Sequence, residues 1–68
     1  MQALQADPSH PGWVRGWLVL RVKEALPGDF VSMHEHAAQA QEEAHRRGPG
    51  HQVFHGRRRE DTGEMLLD

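Results

Sequence analysis

In "WVRGWLVLRVKEALPGDF", residues 13–30, apolar and polar side chains alternate instead of recurring every third or fourth position. Leu18, Leu20 and Val22 fall on one side of an extended chain, and Trp17, Val19 and Arg21 fall on the other. One face is wholly apolar, and the other begins apolar and turns basic. β-Branched and aromatic residues suit such a pleated surface, so residues 13–26 read as a strand. Pro27-Gly28 is the favoured central pair of a type II turn, because proline fixes φ and glycine accepts a positive one. The chain is therefore expected to reverse there, with Phe30 and Val31 forming a short second strand.

Ser32-Met33-His34-Glu35 fits a capping box and predicts a helix over about 32–47. Arg46 and Arg47 complement the helix C-terminus, Gly48 suits the residue after it, and Pro49 forbids continuation. Glu42 with Arg46 and Glu43 with Arg47 are i,i+4 pairs in the favourable order. Met33, Ala37, Ala40 and Ala44 share one stripe, which predicts a close but thin contact with a sheet. "HQVFHGRRRE", residues 51–60, reads as a third strand, with Gly56 marking a bulge. "EDTGEM" reads as a hairpin turn with Gly63 left-handed, and "EMLL" as a short closing strand.

The predicted fold class is α+β. The order is ββαβ(β), one helix on a three- or four-stranded antiparallel sheet, in a single small domain over residues 13–68. Residues 1–12, with Pro8, Pro11 and Gly12 and no periodicity, read as a flexible N-terminal arm. A chain of 68 residues buries little core, and with no cysteine it has neither disulfides nor thiolate metal sites.

A tryptophan-bearing first strand, then "SMHEHAAQAQEEA", then "VFHGRRRE" resembles the DUF2188-type family of short bacterial domains of unknown function. Those domains read as a strand containing Trp, a Ser-x-His-Asp/Glu entry into an Ala-rich helix, and a strand leading into an Arg- or Gly-rich segment. The resemblance covers roughly Trp17 to Glu60, and the chain departs from it at "KEALPGD" and "RRRED". It implies a bacterial source and the ββαβ order, and it supplies no catalytic residues.

The six histidines raise the question of a metal. On a helix His34 and His36 point about 200° apart, and His34 and His45 lie about 16 Å apart along the axis. On a strand His51 and His55 span roughly 13 Å, whereas zinc needs each nitrogen at about 2 Å. A site would need His34 or His45 to meet His51 or His55 across elements, or across a dimer axis. Asp61-Thr62-Gly63 matches the aspartic-protease tripeptide but reads as a turn after "RRRE". The only hydroxyl side chains are Ser9, Ser32 and Thr62, and "RGPGH" follows a helix instead of opening one, so it is no phosphate loop. No enzyme activity and no cofactor are expected.

Arg46, Arg47, Arg57, Arg58 and Arg59 could contact nucleic-acid phosphates, although the formal net charge is −2. The thin core, an apolar first strand and open sheet edges favour a protein partner or self-association, with Trp13, Trp17 and Leu18 as the expected contact residues. No segment is long and apolar enough to span a membrane, and the N-terminus lacks the features of a signal peptide, so a cytoplasmic protein is expected.

Overall fold

A computed structural model describes residues 4–24 and 26–68. The elements are β1 (Gln5–Ala6), β2 (Trp13–Lys23), β3 (Leu26–His34), α1 (Ala37–Arg47), β4 (His51–Arg59) and β5 (Met65–Leu67). They form one helix on an antiparallel sheet of five strands, one more than the sequence predicts. β2 is central. β4 pairs along one side of it without a register shift, from Trp13↔Arg59 to Arg21↔His51. On its other side β1 and β3 lie end to end, β1 beside Val14 and Arg15 and β3 from Trp17 to Lys23. β5 covers the outer side of β4 at Gly56, Arg57 and Arg58.

Three expectations shift. The reversal after β2 lies at Glu24, whose φ is 52°, with Lys23 pairing Leu26, and Pro27 and Gly28 belong to β3. A Cβ on Gly28 would stand 2.7 Å from the Arg21 carbonyl oxygen, so this glycine serves a close strand approach instead of a turn. The helix begins at Ala37 and not near 32. Ser32, Met33 and His34 pair with Val19, Leu18 and Trp17, and this ladder outweighs the local Ser32 cap. His36 is the N-cap instead, in a reciprocal box with Gln39. Third, the expected bulge at Gly56 is absent, because β2 and β4 run in register through Gly16↔Gly56.

The segment expected as a loose arm contains β1 and two consecutive turns; its residues 1–3 lie outside the described part. The His10 amide bonds the Asp7 carbonyl at 3.1 Å, with Pro8 second in the turn. The Trp13 amide bonds the His10 carbonyl at 3.1 Å around Pro11-Gly12, and Gly12 has φ 85°. This is the Pro-Gly turn that the sequence suggested at residues 27–28.

Strand alternation gives the sheet two different faces. Trp17, Val19 and Arg21 share a face with their partners His34, Ser32, His55, Val53 and His51. α1 packs there: Val19 and Ala40 are both fully buried, His34 lines a cleft with Gln39 and Glu43, and His51 lines another with Ala44. Leu18 and Leu20, also fully buried, lie on the other face, beside Met33, Phe54 and Phe30. That face is closed by the sheet's own curl. Arg58 and Phe30 pair with β2 residues six positions apart, roughly 20 Å in a flat sheet, yet the guanidinium lies 4.3 Å from the Phe30 ring centre.

Candidate functional site: an open strand edge beside a cleft

The expected contact residues separate. Leu18 has no exposed surface and belongs to the core, because its side chain points to the concave face. Trp13 and Trp17 are partly exposed, on the face that carries the helix. The Trp17 ring lies 4.7 Å from the His55 ring, and Trp13 meets His10 edge-on at 6.5 Å.

A chain of polar contacts links these two tryptophans. His55 Nδ1 is 2.6 Å from Asp68 Oδ2, and Asp68 Oδ1 is 4.0 Å from the Arg57 guanidinium. Arg57 Nε is 2.8 Å from Asp7 Oδ2, an ionic contact in which the Nε hydrogen is not directed at the carboxylate. Asp7 also accepts from the Ser9 amide at 3.0 Å and contacts His10 Nδ1 at 3.1 Å. Burial of Asp7 works to raise its pKa, but the Ser9 hydrogen bond and the charges of Arg57 and His10 hold it below the ordinary value. Asp7, His10 and Asp68 escaped the sequence reading. Asp at the first position of "DPSH" with Pro next is a type I turn signal, and it was available.

The arginines do not form one surface. Arg57 and Arg59 share a face, Arg58 points to the other, and Arg59 pairs with Asp61 at 2.8 Å. Arg46 and Arg47 are engaged by Glu42 and Glu43, the closest contact being Arg47 Nε to Glu43 at 2.7 Å. The hydrogen bond from Arg47 holds the Glu43 carboxyl below its ordinary pKa, against a smaller opposing effect of burial. α1 ends beside Gly50 and Val22, so these two arginines lie at the opposite end of β4 from Arg57 and Arg59, roughly 20 Å away.

The histidines also stay apart. His34 Nε2 bonds Ser32 Oγ at 2.8 Å, the His51 ring contacts the Gly48 carbonyl at 3.2 Å, and His55 meets Asp68. His45 and His51 line one cleft, but among the described residues no three His, Asp or Glu side chains are placed to hold a metal ion. Asp61-Thr62-Gly63 is a turn, with the Gly63 amide bonded to the Arg59 carbonyl and the Glu64 amide to Thr62 Oγ1. Among the described residues no helix is long and apolar enough to cross a membrane.

What the fold leaves open is a strand edge. β5 stops pairing with β4 at Gly56, and the Asp68 amide adds one bond to the His55 carbonyl at 2.9 Å. Beyond it, His51, Gln52, Val53 and Phe54 have no strand on their outer side among the described residues. The bonds Val22 N–H to Gly50 O and Asp68 N–H to His55 O fix the phase of the ladder. Even-numbered residues of β4 bond β2, so the amides and carbonyls of His51 and Val53 point outward.

The other edge is built differently. β3 carries Pro27, Asp29 and two register shifts, features that discourage edge pairing. The open part of β4 has no charge of fixed sign, no proline and no shift. Beside it lies the cleft lined by Ala44, His45, Gly48, Pro49 and His51, and along the same edge Leu66 and Leu67 are exposed.

No protein family, curated protein or solved structure was found to match this chain.

Proposed function

We propose that the protein is a non-catalytic binding module that takes an extended strand of a partner onto the open edge of β4, between β5 and the end of α1. The observation that carries this reading is the contrast between the sheet's edges. β3 is guarded by proline, charge and bulges, whereas His51–Phe54 offers straight, unguarded backbone. Strand addition draws affinity from main-chain hydrogen bonds and selectivity from alternate side chains. The cleft at Ala44 and Pro49 gives such a side chain somewhere to go. The reading replaces Leu18 as a contact residue and does not use the arginines.

Val53→Pro tests it. Proline removes the outward amide of Val53 and leaves the β2 ladder intact, so the fold is expected to survive. The probe is an acetylated, amidated eight-residue peptide of alternating threonine and valine. Wild-type protein should show saturable amide shifts at residues 51–54 and slowed hydrogen exchange at His51 and Val53, and Val53→Pro should show neither. Equal binding by a folded Val53→Pro protein would refute the reading.

A further inference from the structure

The reading above leaves the partner's chemistry open, and the site itself contains a pattern for it. Asp68, the residue after β5, lies across from His55, next in register after Leu67↔Gly56. There the carboxylate and ring meet at 2.6 Å. A strand continuing along the line of β5 passes Phe54, Val53 and Gln52 and then reaches His51. His51 is four residues from His55, so its side chain lies on the same, helix-bearing face. The backbone position that Asp68 takes across from His55 therefore recurs across from His51, with no strand in it among the described residues.

No acidic side chain lines the cleft at this position, and the acid beside Arg21 in β3, Asp29, lies across β2 from His51. Arg21 is the β2 partner of His51 and makes no ion pair among the described residues. His45 lines the same cleft from α1. The helix acids Glu42 and Glu43 lie on the other flank, in the cleft with His34, where they pair with Arg46 and Arg47. His51 Nδ1 contacts the Gly48 carbonyl, which can only accept, so that nitrogen carries a hydrogen and is already used. A partner's carboxylate would meet the other nitrogen, Nε2, which donates in the imidazolium form, with Arg21 as the neighbouring cation.

We propose that the strand bound at this edge is an acidic peptide running antiparallel to β4, with an apolar side chain opposite Val53 and a carboxylate opposite His51. In the peptide's own direction the pattern is apolar, any residue, then Asp or Glu. This rests on the strand-addition reading and adds the selectivity to it.

The test compares two eight-residue peptides of alternating threonine and valine, acetylated and amidated, in which one internal valine is replaced by aspartate or by asparagine. Binding is followed by amide shifts of the labelled full-length chain at low salt. The aspartate peptide should bind about threefold to fivefold more tightly, as expected for one cross-strand pair of opposite charge. That preference should vanish in His51→Gln and shrink in Arg21→Gln, two substitutions on the sheet surface. Equal affinity of the two peptides for wild-type protein would overturn the acidic selectivity and leave strand addition standing. Failure of both to bind at millimolar concentration would overturn strand addition as well. A chain that dimerises through residues 51–54 and excludes both peptides would make a second copy the occupant and overturn the peptide.

Discussion

Gly56→Ala adds one methyl group where β5 lies against β4 at the Gly56↔Leu67 pair. A Cβ there would collide with the Leu66 carbonyl oxygen and lie 3.0 Å from the Leu67 Cα, both backbone atoms. To restore an ordinary contact, β5 must retreat by roughly an ångström. The bonds that frame the strand, Arg59 N–H to Glu64 O at 2.8 Å and Asp68 N–H to His55 O at 2.9 Å, would then approach 4 Å and be lost. Each such bond contributes about 0.5–1.5 kcal/mol. Because the retreat relieves the overlap, the expected loss is that of the two bonds, about 1–3 kcal/mol. A domain of this length has only about 3–10 kcal/mol in total. Urea unfolding followed by tryptophan fluorescence measures the loss, and amide spectra should show it concentrated at residues 65–68. Gly12→Ala is the control: nothing lies within 4 Å of its Cβ position, but its φ is 85°. It should cost about 1 kcal/mol from backbone strain and leave β5 in place. A loss below about 0.5 kcal/mol in Gly56→Ala, with residues 65–68 unmoved, would refute the close contact.

Leu18→Ala should cost about 2–4 kcal/mol, because Leu18 is fully buried in a core where, among the described residues, Leu20 and Val19 are the other large side chains so enclosed. Leu66→Ala, 48% exposed, should cost far less by the same urea assay; equal losses would place Leu18 outside the core. Asp7→Asn should flatten the acid limb of stability. The Asp7 pKa is lowered from 3.8 on folding, so its contribution is complete above that value and fades as pH falls through the lower native value. The variant should approach the wild type in the most acidic solutions, and parallel acid limbs would argue against the Asp7 network.

The elements whose signals agree with their neighbours were legible from sequence. β2 was clear from the alternation of residues 17–22, β4 from "HQVFHGRRRE", and the helix end from Arg46, Arg47, Gly48 and Pro49. The misreadings came from local signals that more distant pairing overrides. Ser32 with Glu35 is a plausible cap, but Ser32–His34 gain a ladder with β2 worth more than one cap. Pro-Gly occurs three times: at residues 11–12 it makes the turn, at 49–50 it leads from the helix into β4 with Gly50 at φ 90°, and at 27–28 it lies in β3, where the Arg21 carbonyl leaves no room for a side chain. The candidate site was harder still. That β4 is open over residues 51–54 depends on where β5 stops, and no residue within "HQVF" records that. What the sequence did show was an absence of guards there, visible only beside the proline, the charge and the bulges of β3.

A strand taken up at this edge would also bear on folding itself. The helix presents an alanine stripe to one face of the sheet, and the other face closes over Leu18 and Leu20 by curling on itself, so little apolar surface is committed on either side. A ligand that binds only the folded chain adds about 2.7 kcal/mol at a hundredfold excess over its dissociation constant. That increment is comparable to the lower range expected for the whole domain. In such a chain partner binding and folding become one equilibrium, and substitutions remote from the edge, such as Leu18→Ala, should weaken apparent peptide affinity in proportion to the unfolded fraction they create. Calorimetric titration of Leu18→Ala with the aspartate peptide separates the two. If bound peptide restores the native amide spectrum, folding is coupled to the edge; if the variant stays unfolded at saturating peptide, the edge does not draw on the fold.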